Sequence, residues 1–220
     1  MGKGLSDSRS AQAQQRTSFM KIGIVLAYGH FNPDKPEHKS YRNYLDFVAE
    51  EIDKRRLEKV ILCGGFTVPE INDSEAGTCQ KYLLEAKPEF TNYILEDQSL
   101  TTNQNLQFAA QKIKFEDELV VFGDLTRLPK ISWAAMHYLV KASQDEIYQA
   151  VHKFTYAKDL HKQLPGEFIY QNLTVVGFDF NRGKEETIRQ IFASPLDILA
   201  LYDEKNNQID VEQRKKDLHL

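Results

Sequence analysis

Cysteine is scarce in this 220-residue chain: only Cys63 and Cys79 occur, each inside an apolar pattern. A disulfide framework is therefore not what stabilises it, and both read as buried, reduced thiols rather than a disulfide or a catalytic pair. Neither CxxC nor HExxH occurs, so no zinc signature exists, and the six histidines are scattered. GxGxxG and the P-loop pattern GxxxxGK[ST] are missing too. So are long apolar runs. The longest mostly apolar stretch, Ile22 to Phe31, is about ten residues against the roughly 20 a membrane span needs. The N-terminus has no apolar h-region of ~7–15 residues, so the expectation is a soluble, cytoplasmic chain. Charge of one sign is also lacking: 28 Lys+Arg against 32 Asp+Glu gives −4. That balance argues against a polyanion binder, and no nucleic-acid partner is expected.

What is present is ordinary globular material. Hydrophobic residues make up 41%, charged residues 27% and aromatics 11%, enough to build a core. Residues 1–19 are rich in Ser, Gln, Gly and Arg without apolar period, and read as a flexible tail. Residues 20–220 read as a single α/β domain.

Short apolar runs alternate with amphipathic stretches from Lys21 onward. Lys21–Tyr28, Glu58–Cys63, Thr91–Leu95, Glu118–Phe122 and Asn172–Phe178 are the five expected strands. Between them Tyr41, Tyr44, Leu45, Val48 and Ile52 recur at helical spacing, as do Ala76, Cys79 and Leu83. Thr101-Thr102-Asn103-Gln104 is a capping box, which predicts a helix carrying Leu106, Ala109 and Ile113 inward. Helical stretches follow around 130–141, 144–163 and 185–193. Ser194-Pro195 is expected to cap and restart the last of these. Strand and helix in alternation imply a three-layer, Rossmann-like α/β domain with a five-stranded, mainly parallel sheet. Residues 141–171 form either a helical cap over the cleft or one more core helix pair.

Ligands of open parallel sheets bind outside the carboxyl ends of the strands. That rule selects His30 and Asn32 after the first strand and Gly64, Gly65, Glu70, Ser74 and Glu75 after the second. It selects Glu96, Asp97, Ser99, Thr101, Thr102 and Asn105 after the third, and Asp124 and Arg127 after the fourth. Arg42 joins them from the first helix. Each has a plain structural reading: Gly64-Gly65 as a tight turn, Ser74 and Thr101 as helix caps, Glu75 as a first-turn carboxylate. Helix starts near Ser74 and Thr102 suit an anion, whereas the carboxylates suit ribose hydroxyls, an amine or a Mg²⁺ bridging to phosphate. A nucleotide-like ligand matches more of these residues than a bare anion. Glu75, Glu96 and Asp124 are the candidate general bases.

Three motifs over residues 21–125 resemble the YdcF-like family, a domain also found in SanA and ElyC proteins. They are Val60-Ile61-Leu62-Cys63-Gly64-Gly65, Ser74-Glu75-Ala76, and Ile94-Leu95-Glu96 with Ser99, Thr102 and Asn105 behind it. Arg42 matches the family's first-helix arginine. After the fourth strand Gly123-Asp124-Leu125-Thr126-Arg127 stands where the family carries a His and an Arg-Ala element. The resemblance implies a Rossmann-like domain binding a nucleotide- or S-adenosylmethionine-like small molecule, with hydrolase or transferase activity as the catalytic option. It leaves open a non-catalytic ligand-sensing or scaffold module. A second, local resemblance is to nucleotidylyltransferases: Gly29-His30-Phe31-Asn32-Pro33 is similar to their opening motif, with His38 following. It implies nucleotidyl transfer through His30 and His38.

Overall fold

The computed structural model describes residues 19–155, 166–181 and 183–220. Most of the tail assigned to residues 1–19 lies outside them. So do residues 156–165 of the stretch read as a cap or a core helix pair. Six strands form one sheet: β1 (Lys21–Leu26), β2 (Lys59–Cys63), β3 (Tyr93–Glu96), β4 (Glu118–Asp124), β5 (Glu167–Tyr170) and β6 (Leu173–Phe178). Their order is β3-β2-β1-β4-β6-β5. All neighbours are parallel except β5, which runs antiparallel to β6 along the edge. The Rossmann-like α/β class is as expected; the strand count is six, not five. The extra strand is a four-residue run, EFIY, in which Phe168 is the one buried position, so it lacks the apolar continuity of the others.

The central strands are buried on both faces, and each face has its own set of helices. Ile22, Ile24 and Leu26 of β1 pack toward α3 (Thr102–Ala109), α4 (Leu128–Tyr138) and α5 (Gln144–Thr155) through Leu106, Ile131, Ala134, Ile147 and Val151. Val25, Val60, Leu62 and Phe122 pack toward α1 (Lys39–Arg55) and α2 (Glu75–Ala86) through Tyr44, Leu45, Val48 and Leu83. This is the period-2 alternation of a strand feeding two cores. It also separates the cysteines: Cys63 belongs to the first core and Cys79 to the second, and both are free and buried. Burial pushes the Cys79 thiol up to about 12.

Two helical expectations change. The stretch around 144–163 is helical as α5 over Gln144–Thr155, and residues 156–165 lie outside those described. The described part packs on α4 and into the first core. At the C-terminal end α6 (Lys184–Leu199) is continuous, with Pro195 inside it. Ser194 is not a cap: its hydroxyl donates back to the Gln190 carbonyl at 2.9 Å, the local bond open to a serine within a helix. The last helix is α7 (Glu204–Asp217), capped by Asp203, which accepts from Lys205 N–H at 3.0 Å. Among the described residues no helix is long and apolar enough to cross a membrane.

The sheet opens between β1 and β4. Their ladder ends at Val25 opposite Phe122. Beyond it Ala27 N–H bonds Cys63 of β2 at 2.9 Å, while β4 stays paired to β6 as far as Asp124 opposite Phe178. The Leu26 and Phe122 carbonyls at the fork both accept from the buried Tyr44 hydroxyl, at 3.1 and 3.0 Å. One proton is shared in a three-centre bond.

Tyr44→Phe removes the donor that both carbonyls share while keeping the ring. Leaving buried acceptors unpaired costs about 1–3 kcal/mol. We expect urea unfolding to show a loss of that size, with far-UV circular dichroism unchanged. A variant as stable as the parent would show that Tyr44 does not hold the fork.

Candidate functional site

A cavity of about 400 Å³ lies at this fork, lined by Tyr28, Gly64, Thr67, Glu75, Ser99, Thr101, Thr102, Asn105 and Arg127 among others. Its size is within the range of about 300–1,000 Å³ typical of small-molecule sites. Of the residues selected from the sequence, Gly64, Glu75, Ser99, Thr101, Thr102, Asn105 and Arg127 meet on its wall.

Glu75 stands on one side, at the first position of α2 and nearly buried. One carboxylate oxygen accepts from Gly29 N–H at 3.1 Å, and the other from the Thr67 hydroxyl at 2.6 Å. It thus ties the loops after β1 and β2 to the helix. The glycines below serve close packing. A Cβ on Gly64 would meet those of Ala27 and Glu75 at 2.8 Å, and one on Gly65 would stand 2.4 Å from the Ser99 carbonyl oxygen.

The start of α2 offers nothing to an anion. Glu75 N–H bonds Gly65 O and Ala76 N–H bonds Gly64 O, each at 2.9 Å. Gly77 N–H bonds the Ser74 hydroxyl at 2.9 Å, and Thr78 N–H bonds Ser74 O at 3.0 Å. Ser74 is a cap, and all four donors that usually lie open at a helix start are engaged.

The start of α3 differs. Thr101 caps it, accepting from Gln104 N–H at 3.2 Å. The Gln104 side chain reaches past the cap to accept from Leu100 N–H at 2.8 Å, one residue further back than the usual capping box. Among the described residues the N–H groups of Thr102 and Asn103 have no acceptor. Beside them Arg127 donates to the Thr102 hydroxyl at 3.0 Å.

Glu96 lies beneath the wall, 2% exposed. It accepts from Gln98 N–H at 3.0 Å, Ser99 N–H at 3.1 Å and the Ser99 hydroxyl at 2.5 Å. Burial raises its carboxyl above the usual range, against those three bonds. Ser99 also touches the Asn105 amide. The Asn105 side-chain oxygen and a Glu96 oxygen both stand as acceptors of the one Ser99 hydroxyl proton. Asp124 is fully buried and accepts from Thr126 through N–H at 2.9 Å and hydroxyl at 2.8 Å. These two carboxylates shape loops under the cavity, whereas Glu75 faces into it.

Other selected residues stand outside the wall. Arg42 is exposed and bonds the Pro33 carbonyl. Asn32 closes its own turn, its side chain accepting from Asp34 N–H at 2.9 Å. His38 accepts Asn32 N–H on Nδ1 at 2.9 Å and stacks on Phe31. Neither His30 nor His38 lines the cavity.

The sequence reading missed the rest of the lining. Lys130 of α4, Gln190 and Asp197 of α6, and Asp210 and Arg214 of α7 complete the cavity. Lys130 is 3% exposed and pairs with Asp197. Burial and the neighbouring Arg127 push its amine down to about 8, against the pull of Asp197. One signal was available: Lys130 is the one charged residue in the run Leu128–Met136. Among the described residues no group of three His, Cys, Asp or Glu side chains is placed to hold a metal ion.

Comparison with known proteins adds little. A CDK5RAP1-like protein of Oryza sativa subsp. japonica is 29% identical over 79 residues, 36% of this chain and 13% of that protein. The matched stretch is therefore a small part of that relative's length. No family model and no solved structure matches the chain.

Lys130 makes stability depend on pH in a defined sense. An unfolded lysine keeps its proton to about 10.5, whereas the folded amine releases it near 8. Between those values the unfolded chain binds more protons, so this group raises stability as pH rises. Lys130→Met removes that contribution. Urea unfolding at pH 7.5 and 9.5 should therefore show the parent gaining on the variant at the higher pH. An equal difference at both values would show that Lys130 titrates normally.

Proposed function

We propose that this chain is a YdcF-like protein that binds a nucleotide- or S-adenosylmethionine-like small molecule at the carboxyl ends of its strands. The observation that carries this reading is the polarity of one cavity. An acceptor, Glu75, lines it together with donors, Arg127 and Thr102 at the start of α3. A ribose or similar diol suits the first, since an ionised carboxylate accepts from paired hydroxyls. A phosphate or carboxylate suits the second, where a helix start and a guanidinium combine. Thr67, Ser99, Thr101 and Asn105 add hydroxyl and amide groups to the wall.

Within this reading, hydrolysis or group transfer takes Glu75 as its base, because Glu96 and Asp124 are committed to the loops beneath. The second reading, a ligand-sensing module without turnover, is favoured by one observation. Both Glu75 oxygens already accept a hydrogen bond, which suits holding a ligand more than moving a proton. Nucleotidyl transfer through His30 and His38 draws no support from the cavity.

The test is a thermal-shift and native mass-spectrometry panel of ATP, CTP, ADP-ribose, NAD and S-adenosylmethionine, each with and without Mg²⁺. Ligand at 100 times its Kd stabilises by about 2.7 kcal/mol, several degrees in a domain of this size. We expect at least one compound to bind, Arg127→Ala and Glu75→Gln each to weaken it about tenfold or more, and Arg42→Ala to leave it unchanged. No shift across the panel would overturn the reading. Binding untouched by both cavity variants would move the site elsewhere.

A further inference from the structure

The proposed function leaves one buried group of the cavity unused, the amine of Lys130. It stands in the first turn of α4, between Leu128 and Ile131 of the first core. An ammonium is costly to remove from water unless carboxylates replace the water around it. Lys87 meets that condition. It is covered too, and its amine donates to Asp53 and Glu89, each at 2.6 Å. Those two acids hold its ammonium above the usual lysine range. Lys130 is supplied differently. Among the described residues it donates to one carboxylate, Asp197. Arg127, three residues before it and lining the same cavity, sets a second cation nearby. Asp210 of α7 attracts it as well, but that acid is shared with Arg214.

We propose that Lys130 is a nucleophilic amine that forms an imine with a small carbonyl compound bearing a carboxylate, and that Arg127 holds this carboxylate. A nucleophilic lysine needs a neutral amine and a route for its partner. Burial and then Arg127 bring the ammonium down to about 8, the two means by which lysines are activated. The route is the cavity of about 400 Å³ that Lys130 lines. In the step itself the nitrogen lone pair adds to the carbonyl carbon, and one amine proton passes to the carbonyl oxygen. The resulting hydroxyl leaves with the second amine hydrogen as water, so amine and carbonyl become imine and water with no change of oxidation state. Asp197, in contact with the amine, is placed to carry the proton from nitrogen to oxygen. A carboxylate beside the carbonyl suits the site because a guanidinium binds it through paired N–H groups. This step goes beyond the proposed function and stands without it, since it needs no nucleoside in the cavity.

The test uses two probes on the full chain: glyoxylate, an aldehyde with a carboxylate, and acetaldehyde, which lacks one. Sodium cyanoborohydride delivers hydride to any imine carbon and traps it as a secondary amine, and peptide mass spectrometry identifies the lysine. At pH 7.5 we expect glyoxylate to label Lys130 about tenfold or more faster than the exposed Lys205 and Lys216, because an amine released near 8 is neutral far more often than an ordinary one. That advantage should shrink at pH 9.5, where the exposed amines also lose protons. Acetaldehyde should show a smaller advantage at Lys130. Arg127→Gln should bring the two probes level and move the pH dependence of Lys130 labelling upward, with the melting temperature of the variant checking that the fold persists. Labelling of Lys130 no faster than that of Lys205 and Lys216 would overturn the proposal. Equal preference for both probes in the parent would overturn the assigned substrate class. Neither result bears on the nucleotide panel, whose failure would in turn leave this labelling unchanged.

Discussion

The parting of β1 from β4 is the constraint on which the site depends. Two parallel strands that pair through Val25 and Phe122 must separate if a ligand is to reach between them, and separation strips ladder partners from carbonyls in a dry interior. The Tyr44 hydroxyl, reaching from α1, supplies a donor to both. Tyr28, just past the end of β1, then crosses the gap and accepts from Asp124 N–H. The opening is thus a built feature in which each strand end has found another partner: β2 for β1, β6 for β4, tyrosine hydroxyls for the rest. Because the strands diverge here, the loops after β1, β2, β3 and β4 all face one space.

The loops around that space are braced mainly from below. Glu96 organises the turn leading to α3, Asp124 the turn leading to α4, and the Gly64-Gly65 pair lets the β2 end lie against Ser99. None of these needs a ligand to account for it. They hold Ser99 and the turns that lead to Thr102 and Arg127 in place beside the cavity. A buried carboxylate that accepts two backbone N–H groups and a hydroxyl is a stiff joint, since loosening it leaves a charge unsolvated. Glu75 differs because it is both joint and wall. It braces two loops while its carboxylate still borders the cavity.

How much of this could be read from the sequence follows from how each element is stabilised. The central strands were legible because burial on both faces makes them continuous apolar runs, as in KIGIVL and ELVVF. Edge strand β5, solvated along one side, carries no such run. The caps Ser74 and Thr101 were legible because short side-chain oxygens satisfy local N–H groups within a few residues. The switch-point rule located the cavity and most of its strand-end wall. It was silent on α6 and α7, because Asp210 and Arg214 sit in a helix charged on every side, where a ligand contact and a solvated charge look identical in one dimension. Pro195 misled for a different reason: a proline after a serine marks a helix start by local statistics, but here packing of α6 against α4 and the turn at Leu125–Arg127 carries the helix through it.

The electrostatic pattern of the cavity argues for a ligand that is itself divided. A chain with net charge −4 does not attract polyanions over distance, and its cavity does not reverse that with a uniformly basic lining. Its lining instead holds both signs: Glu75, Asp197 and Asp210 together with Arg127, Lys130 and Arg214. A purely anionic ligand would gain at Arg127 and lose at Glu75 and Asp210, since a like charge in a partly desolvated site is repelled more strongly than in water. A purely cationic one would gain and lose in the opposite places. A molecule with a hydroxyl-rich middle and mixed charge at one end meets each group with its complement. In the proposed reading, desolvation strengthens each of these contacts, and a lining of mixed sign disfavours ligands of one sign alone.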